Sequence, residues 1–591
     1  MRRLFQPSLT FTSLLALSIW LLVLWQLPYL ELQPYDEGYY ALRTKAILYF
    51  NCWLDQSDYA IGGFYSASHP PLYIWLAALS AKVVGMGEFA FRLPSWLAAC
   101  LFLTTLVQVA KRSDLPHTPL YALVVAGFLP LVLWYARLAQ LDMLLMWLSM
   151  LQVYFFQRYE QSGRLWHAAA AGLVLGGALM TKVLVGLFPA LAIGLCEGYR
   201  IWTKQITCKN ALRALLLFYA LGLSVAMLWF AWICAQHPGY FEQYISWFVA
   251  DRVQRNQMLS QHRTGVFYYL NVVLTRIPLA ALSMLWFWAF WRQPHVRKPY
   301  RVRWLIWLLL TASVLSLSQT KLLWYTLLFL PPLILMAAES LSLLLNVPNE
   351  HHLVKLIALS ALFLSCIWSL LQPFHRAVLE AILNQDWLVM LGIVAVLAAA
   401  LAAGALVHIA LRREQTRAVL LTLLILTSTC VAIWSAVNGL AFVQTYHGAK
   451  SASEFVHQSK PACLIHLVPP ARIGDQRFNP QFSYYFDGID VDTMKWGAMM
   501  RYVRLPVTAA AALRDTLAAE PSCAIVLEKT VLSSERLQLQ TVNELEWTAH
   551  LLQLVKVLDT PNYAVYVPQP QSFFMRQSSQ PNPVLRNGGG L

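Results

Sequence analysis

Pro71-Leu-Tyr-Ile-Trp-Leu-Ala-Ala-Leu-Ser-Ala-Lys-Val-Val-Gly85 decides how the rest of the chain is threaded. The stretch is apolar. Counted as a membrane span, it puts Lys111 and Arg112 on the outer side and the Arg137–Asp142 turn inside. Short cytoplasmic loops carry an excess of Lys and Arg, and with that extra span the rule fails. A bilayer-crossing helix needs roughly 20 apolar residues. This stretch is shorter, and Pro70 and Pro71 stand at its start. It therefore reads as a helix lying at the outer face.

Outward from this stretch, apolar runs of spanning length recur from Leu9 to Val437. We read thirteen spans, over 9–30, 90–110, 117–137, 142–158, 165–180, 183–199, 211–235, 266–291, 303–318, 322–345, 354–372, 387–411 and 418–437. With Arg2 and Arg3 in the cytoplasm, every second loop is cytoplasmic. Those loops hold Lys111/Arg112, Arg158/Arg164, Arg200/Lys204/Lys209/Arg213, Arg292/Arg297/Lys298/Arg301/Arg303, Lys355 and Arg412/Arg413/Arg417, whereas the short loops between them are nearly free of Lys and Arg. The first run is too long for a signal segment and has no small-residue cleavage site after it, so it reads as a retained span.

Composition agrees. Apolar residues make up 58% of the 591 and charged residues 12%, about half the share of a soluble domain. The net charge of +15 is explained by the cytoplasmic loops, and nucleic acid is not expected as a partner. The reading is an all-α polytopic membrane protein with a small C-terminal α/β domain. Residues 1–444 form the membrane domain, with long outer loops at 31–89 and 236–265. With thirteen spans, residues 445–567 lie outside. They carry strand-like runs at Cys463–Val468, Cys523–Leu527 and Tyr563–Val567 and a helical pattern over Thr508–Ala519. The tail over 568–591, rich in Gln, Pro, Ser and Gly, has the composition of a disordered segment. None of the nine cysteines falls in a CxxC or Cys/His ligand pattern. Cys463 and Cys523 are candidates for a disulfide if the domain is periplasmic, with free thiols the alternative.

The residues able to carry chemistry gather at the outer face. Asp36 and Glu37 open a helix expected over Tyr39–Phe50, amphipathic enough to lie on the membrane, and acids at a helix start also suit the dipole. His69 precedes two prolines and is held extended. Asp142 begins the fourth span, where it either caps the helix or serves function. Lys182 and Lys321 occupy outward turns otherwise without charge, against the positive-inside trend. An anionic headgroup would account for them, and snorkelling is the alternative. Arg252, Arg255 and Arg263 make the second outer loop basic; solvated surface charge is the ordinary reading, and with His262 and neighbouring aromatics a phosphate clamp is the alternative. No P-loop, Rossmann glycine pattern or HExxH is present. Chemistry at that face needs a donor already activated, and a lipid-linked phospho-sugar fits. A secondary transporter or lipid flippase is the rival reading. Transporters show repeat symmetry and broken, charged helices near the midplane, whereas here the ionisable residues sit at the interface.

Taken in order, Asp36-Glu37-Gly-Tyr-Tyr-Ala, Pro70-Pro71-Leu-Tyr-Ile-Trp, Glu88-Phe-Ala-Phe-Arg-Leu-Pro, Leu141-Asp142, Thr181-Lys182, His262-Arg263 with Phe267-Tyr-Tyr, and Lys321-Leu-Leu-Trp-Tyr325 with Pro331-Pro332 resemble the GT-C superfamily of polyprenyl-phosphate-sugar glycosyltransferases. The similarity is to the bacterial lipid A aminoarabinose transferases and their protein O-mannosyltransferase relatives. The resemblance implies a bacterial inner-membrane enzyme with a cytoplasmic N-terminus and a periplasmic C-terminal domain. Its donor would be a sugar on undecaprenyl phosphate and its acceptor a lipid or a protein hydroxyl. Asp36 and Asp142 would be the catalytic acids. Lys321, Tyr325, Arg263 and Lys182 would hold the donor phosphate, and Glu37, Tyr40 and His69 would contact substrate. Where the lipid A enzymes have an acid–Lys pair before the proline-leucine segment, this chain has Ser68-His69, so that lysine's role has no counterpart. No cofactor is required by this reading, although a divalent metal would find candidate ligands in His69 and His262.

Overall fold

The computed structural model describes residues 20–33 in part, 36–56, 69–245 apart from 128, 265–277, 282–292, 297–318, 321–346, 448–459 and short stretches between 463 and 568. Most of the first expected span, the spans over 354–372, 387–411 and 418–437, residues 251–264, the helical pattern over 508–519 and the tail lie outside the described residues. The helices in chain order are α1 (Asp36–Phe50), α2 (Leu72–Val84), α3 (Glu88–Ala110), α4 (Thr118–Gly127), α5 (Pro130–Ala136), α6 (Leu141–Ser162), α7 (Leu165–Trp202), α8 (Cys208–Gln236), α9 (Tyr240–Ile245), α10 (Tyr268–Arg276), α11 (Ser283–Arg292), α12 (Pro299–Leu317), α13 (Leu330–Asn346) and α14 (Ala449–Ser459), with a 3-10 helix at Leu323–Leu328 before α13. The chain forms two compact units. One comprises Met1–Tyr29, Trp53–Asp55 and Ala67–Leu440, and the other Leu30–Cys52, Gln56–Ser66 and Ala441–Leu591.

The first unit is helical. Among the described residues, α3, α7, α8 and α12 are long and apolar enough to cross a membrane. Their ends follow local chemistry. Thr207 caps α8 by accepting from Asn210 N, and Gly163 closes α6 in the left-handed region at φ 68°. On α8, Leu216, Leu223, Met227 and Leu228 are exposed, an apolar outer face of the kind that meets lipid. Three expected spans are interrupted, each beside proline. The 117–137 run is α4 and α5, with Pro130 opening the second piece. The 266–291 run is α10 and α11, with Pro278 in the sequence between them. The 322–345 run is the 3-10 helix followed by α13, whose first turn holds Pro331 and Pro332.

The expected pair of spans over 165–180 and 183–199 is one continuous element that reverses. A straight helix would separate Gly172 from Gly194 by roughly 33 Å. Yet a Cβ on Gly172 would lie 2.5 Å from Phe218 O, and one on Gly194 would lie 2.8 Å from Tyr219 Oη. Both levels of α7 thus meet a single turn of α8. Lys182, with φ −157° and ψ 92°, is where the chain turns back. Gly186 then passes so close to Ala178 that a Cβ would sit 2.9 Å from the Ala178 carbonyl carbon.

With α7 folded as a hairpin, the turns sort to opposite ends of this unit. At one end Glu160 of α6 is faced by Arg303 and by Arg112 Nη2 and Arg200 Nη1 at 3.8 and 3.5 Å. Two residues before Arg303, Arg301 donates through Nε and Nη2 (2.8 and 3.0 Å) to Glu339 of α13, which also accepts from Trp286 Nε1 (2.8 Å) and Ser113 Oγ (2.5 Å). These basic residues belong to the loops that the charge rule assigns to a single side. The Asp142 turn, the Lys182 tip and the Lys321 turn belong to the other end.

In the second unit, a five-stranded sheet has the order β4-β1-β5-β7-β6, from β1 (Cys463–Val468), β4 (Arg501–Pro506), β5 (Ala524–Glu528), β6 (Leu554–Asp559) and β7 (Tyr563–Pro568). The strands β4, β1 and β5 are parallel, while β7 and β6 run antiparallel. β2 (Ile489–Asp490) and β3 (Lys495–Trp496) form a separate ribbon. α14 covers the sheet with Ala449, Ala452 and Val456 against Leu464, Val526 and Val565. Cys523 is disulfide-bonded, and the pairing of Leu464 with Ala524 sets Cys463 at the neighbouring register position.

Candidate active site

Asp142 sits in the first turn of α6 after Gln140, whose extended backbone ends the preceding turn. The helix start favours a carboxylate there. Lys182 reaches it from the tip of the α7 hairpin, its Nζ donating to Asp142 Oδ1 at 3.0 Å with both side chains buried. The same ammonium lies 4.8 Å from the centre of the Tyr325 ring, within cation–π range. Two residues expected in separate roles are thus an ion pair, and Tyr325 joins them. The pairing explains the lysine in an uncharged turn: a buried carboxylate and a buried ammonium each need a partner.

Tyr325 is placed by the 3-10 helix, which Trp307 Nε1 holds through Leu328 O at 3.0 Å. The turn before it is fixed by Tyr269 of α10. Its hydroxyl accepts from Leu322 N at 3.2 Å and lies 3.3 Å from Leu322 O. Lys321 Nζ donates to Ser318 O at 2.6 Å, and the side chain is only 5% exposed. Burial holds this ammonium below the ordinary lysine range. Tyr269 is a supporting residue whose role has no sequence signal beyond the Phe267-Tyr-Tyr run.

A second supporting element is Trp53-Leu54-Asp55. Trp75 Nε1 donates to Trp53 O (2.6 Å), Trp229 Nε1 donates to Leu54 O (3.0 Å), and His237 Nε2 is hydrogen-bonded to Asp55 Oδ2 (2.5 Å). Beside it an apolar cavity of about 530 Å³ is lined by Leu54, Leu72, Trp75, Met180, Trp229 and Trp232 among others. His69, half-buried, lies just before α2.

The remaining candidates belong to the second unit or lie outside the described residues. Asp36 and Glu37 form the first turn of α1. Glu37 is fully buried, and its Oε2 accepts from Gln33 N at 2.7 Å. Tyr40 is buried one turn on, and Arg43 donates to Gln56 Oε1 through Nε and Nη2. The helix expected to lie amphipathically on the membrane is instead buried on most sides. Arg43, Thr44 and Lys45 are buried along with Tyr39, Leu42 and Ile47, because the polar side chains find partners within the fold. His262 and Arg263 lie outside the described residues. Among the described residues no three His, Cys, Asp or Glu side chains gather as a metal site.

Residues 68–232 match the dolichyl-phosphate-mannose-protein mannosyltransferase family. Over 323 residues, 52% of this chain, the sequence is 28% identical to undecaprenyl phosphate-alpha-4-amino-4-deoxy-L-arabinose arabinosyl transferase 1 of Pseudomonas fluorescens, of which 55% is covered. The corresponding enzyme of Pseudomonas savastanoi pv. phaseolicola is 27% identical over 319 residues, 52% of this chain and 56% of that one. The chain thus spans about half the length of the curated relatives it matches. The crystal structure of ArnT from Cupriavidus metallidurans bound to undecaprenyl phosphate superposes with a TM-score of 0.61 at 17% identity, covering 96% of this chain and 100% of that one. In sequence this polytopic membrane protein is similar to the aminoarabinose transferases, and its fold is the GT-C fold of ArnT.

Proposed function

We propose that the protein is an integral-membrane glycosyltransferase that moves a sugar from undecaprenyl phosphate to an acceptor at the periplasmic face of the bacterial inner membrane. The observation that carries this reading is the meeting of Asp142, Lys182 and Tyr325, with Lys321 four residues before Tyr325, at the end of the helical unit opposite the arginine-rich turns. Cations and a phenol fixed at that end suit a phosphate monoester leaving from a sugar. The bond between the anomeric carbon and the phosphate oxygen breaks as the acceptor oxygen attacks from the other face, inverting the sugar carbon. Lys321, Tyr325 and Arg263 hold the phosphate and stabilise its growing charge. Lys182, tied to Asp142, orients Tyr325 and offers a further donor hydrogen. For a hydroxyl acceptor, Asp36 takes the proton; for a lipid A-like phosphate acceptor it positions the attacking oxygen. The N-terminus is cytoplasmic and the sheet domain periplasmic in this reading, and the acceptor is a lipid in preference to a protein hydroxyl, in line with the aminoarabinose transferases.

The test is purified protein in lipid with a panel of undecaprenyl-phosphate sugars and lipid extract as acceptor, with mass spectrometry for released undecaprenyl phosphate. Release from one donor, clearly reduced in Asp36→Asn and by about 100-fold or more if the acceptor is a hydroxyl that needs a general base, supports the reading. No release from any donor, with directional lipid transport instead, replaces it with the transporter.

A further inference from the structure

Three consecutive residues ahead of α1 make three different attachments. The Glu31 carboxylate accepts from Gly448 N (3.1 Å to Oε2), just before α14, and from Lys450 N (3.3 Å) in its first turn. Leu32 N donates to Tyr485 Oη at 2.8 Å. Gln33 N donates to Glu37 Oε2 at 2.7 Å, and Gly38 N reaches back to Gln33 O at 3.4 Å. The first two attachments reach residues more than 400 positions away; the third fixes the helix turn that begins with Asp36. A carboxylate on the open amides of a helix start is a charge-assisted contact. Tyr485 is no loose tether, since its ring packs against the α14 and sheet core with Lys450 Nζ 5.8 Å from its centre. Leu32 itself is fully buried, and the bonds around it are part-buried, except that of Lys450 N, which is exposed.

We infer that Glu31 and Tyr485 are positioning residues through which the C-terminal sheet domain sets the orientation of the Asp36–Glu37 turn. The inference rests on the transferase reading for its catalytic consequence, because that reading makes Asp36 the acid at the acceptor. The sheet domain has no motif of its own, and this link gives it a function within the chain. Any ligand or strain that shifts α14 or Tyr485 is passed to the first loop through residues 31–33.

The variants are Tyr485→Phe, which keeps the packed ring and removes the hydroxyl, and Glu31→Ala, with Glu31→Asp as the conservative control. Each is made in the full chain in lipid nanodiscs. Hydrogen exchange read by mass spectrometry over residues 31–44 tests the link without any substrate. The expected result is faster exchange, by about five- to tenfold, at Leu32 and also at Gln33 and Gly38, which touch neither Tyr485 nor α14 in these bonds, with Glu31→Asp close to wild type. Turnover tests the consequence. kcat falls by a similar factor while donor KM stays within about twofold, and the loss vanishes when Asp36 is already Asn, since residues acting through one group are not additive. Exchange unchanged at Gln33 and Gly38 overturns the inference, as does faster exchange with unchanged kcat. If wild type releases no undecaprenyl phosphate from any donor, the transferase reading fails, and the exchange data alone then decide whether the link exists.

Discussion

Lys182 and Asp142 show what a buried pair does to single substitutions. Lys182→Ala leaves the Asp142 carboxylate buried without its ammonium, a loss of about 3–5 kcal/mol. The expected outcome is a clear fall in unfolding temperature in detergent, with most of it recovered in the double variant Lys182→Met/Asp142→Leu while turnover stays lost. Lys321 behaves differently, because burial disfavours its charged form. As pH rises through its lowered pKa the ammonium is lost, so donor affinity falls earlier than an exposed lysine would allow. The unfolded chain holds the proton longer than the fold does, so stability rises over the same window. Titrating donor binding and unfolding temperature together should show opposite slopes, and Lys321→Arg, always protonated, should flatten the first. Each residue announces itself in sequence as a lysine in an uncharged turn. Their partners do not, since Asp142 is 40 positions from Lys182 and only the fold brings such separations together.

Among the elements, the α7 hairpin has the tightest packing requirement. A Cβ at Gly186 would meet the Ala178 backbone at 2.9 Å, and one at Gly176 would meet Val225 at 2.6 Å. Neither Gly186 nor Gly176 has φ in the left-handed region, so the need is for space, as between close-packed membrane helices. Gly186→Val should cost about 1–3 kcal/mol, and Gly198→Val, where nothing lies within 4 Å of the added Cβ, should be nearly neutral; thermal unfolding of the two variants compares them. Hydropathy located the two arms of this hairpin, because each arm has a span's length and Lys182 interrupts the run. It did not locate the breaks beside Pro130 and Pro278, because mean hydropathy passes over a residue that removes one hydrogen bond without changing polarity. The buried course of α1 was hidden for the reverse reason: Arg43 and Lys45 look solvated until Gln56 and the Tyr49 ring are found beside them.

For the whole molecule, alternating loop charge gave the threading of the helical unit, and the gathering of Arg112, Arg200 and Arg303 around Glu160 at one end agrees with it. The proposed orientation makes a direct prediction. Cys208, exposed at the start of α8, follows Lys204 in a turn assigned to the cytoplasm. In a variant keeping only this cysteine in the membrane unit, a membrane-impermeant maleimide should label inside-out vesicles and spare right-side-out ones; the opposite pattern inverts the topology. The sheet order and the attachment of residues 31–32 to α14 and Tyr485 were not legible, since both join distant segments through backbone groups that every sequence possesses. The Glu160 cluster has a further consequence, in time. Arg112 leaves the ribosome before Glu160, but Arg303 follows it by 143 residues, about 7–30 s of synthesis at ~5–20 residues per second. For that interval the nascent chain carries an acid that lacks its most deeply buried partner, which arrives with α12. A chain stalled before Arg303 would thus present an open seam at Glu160, available to quality-control proteases until translation resumes.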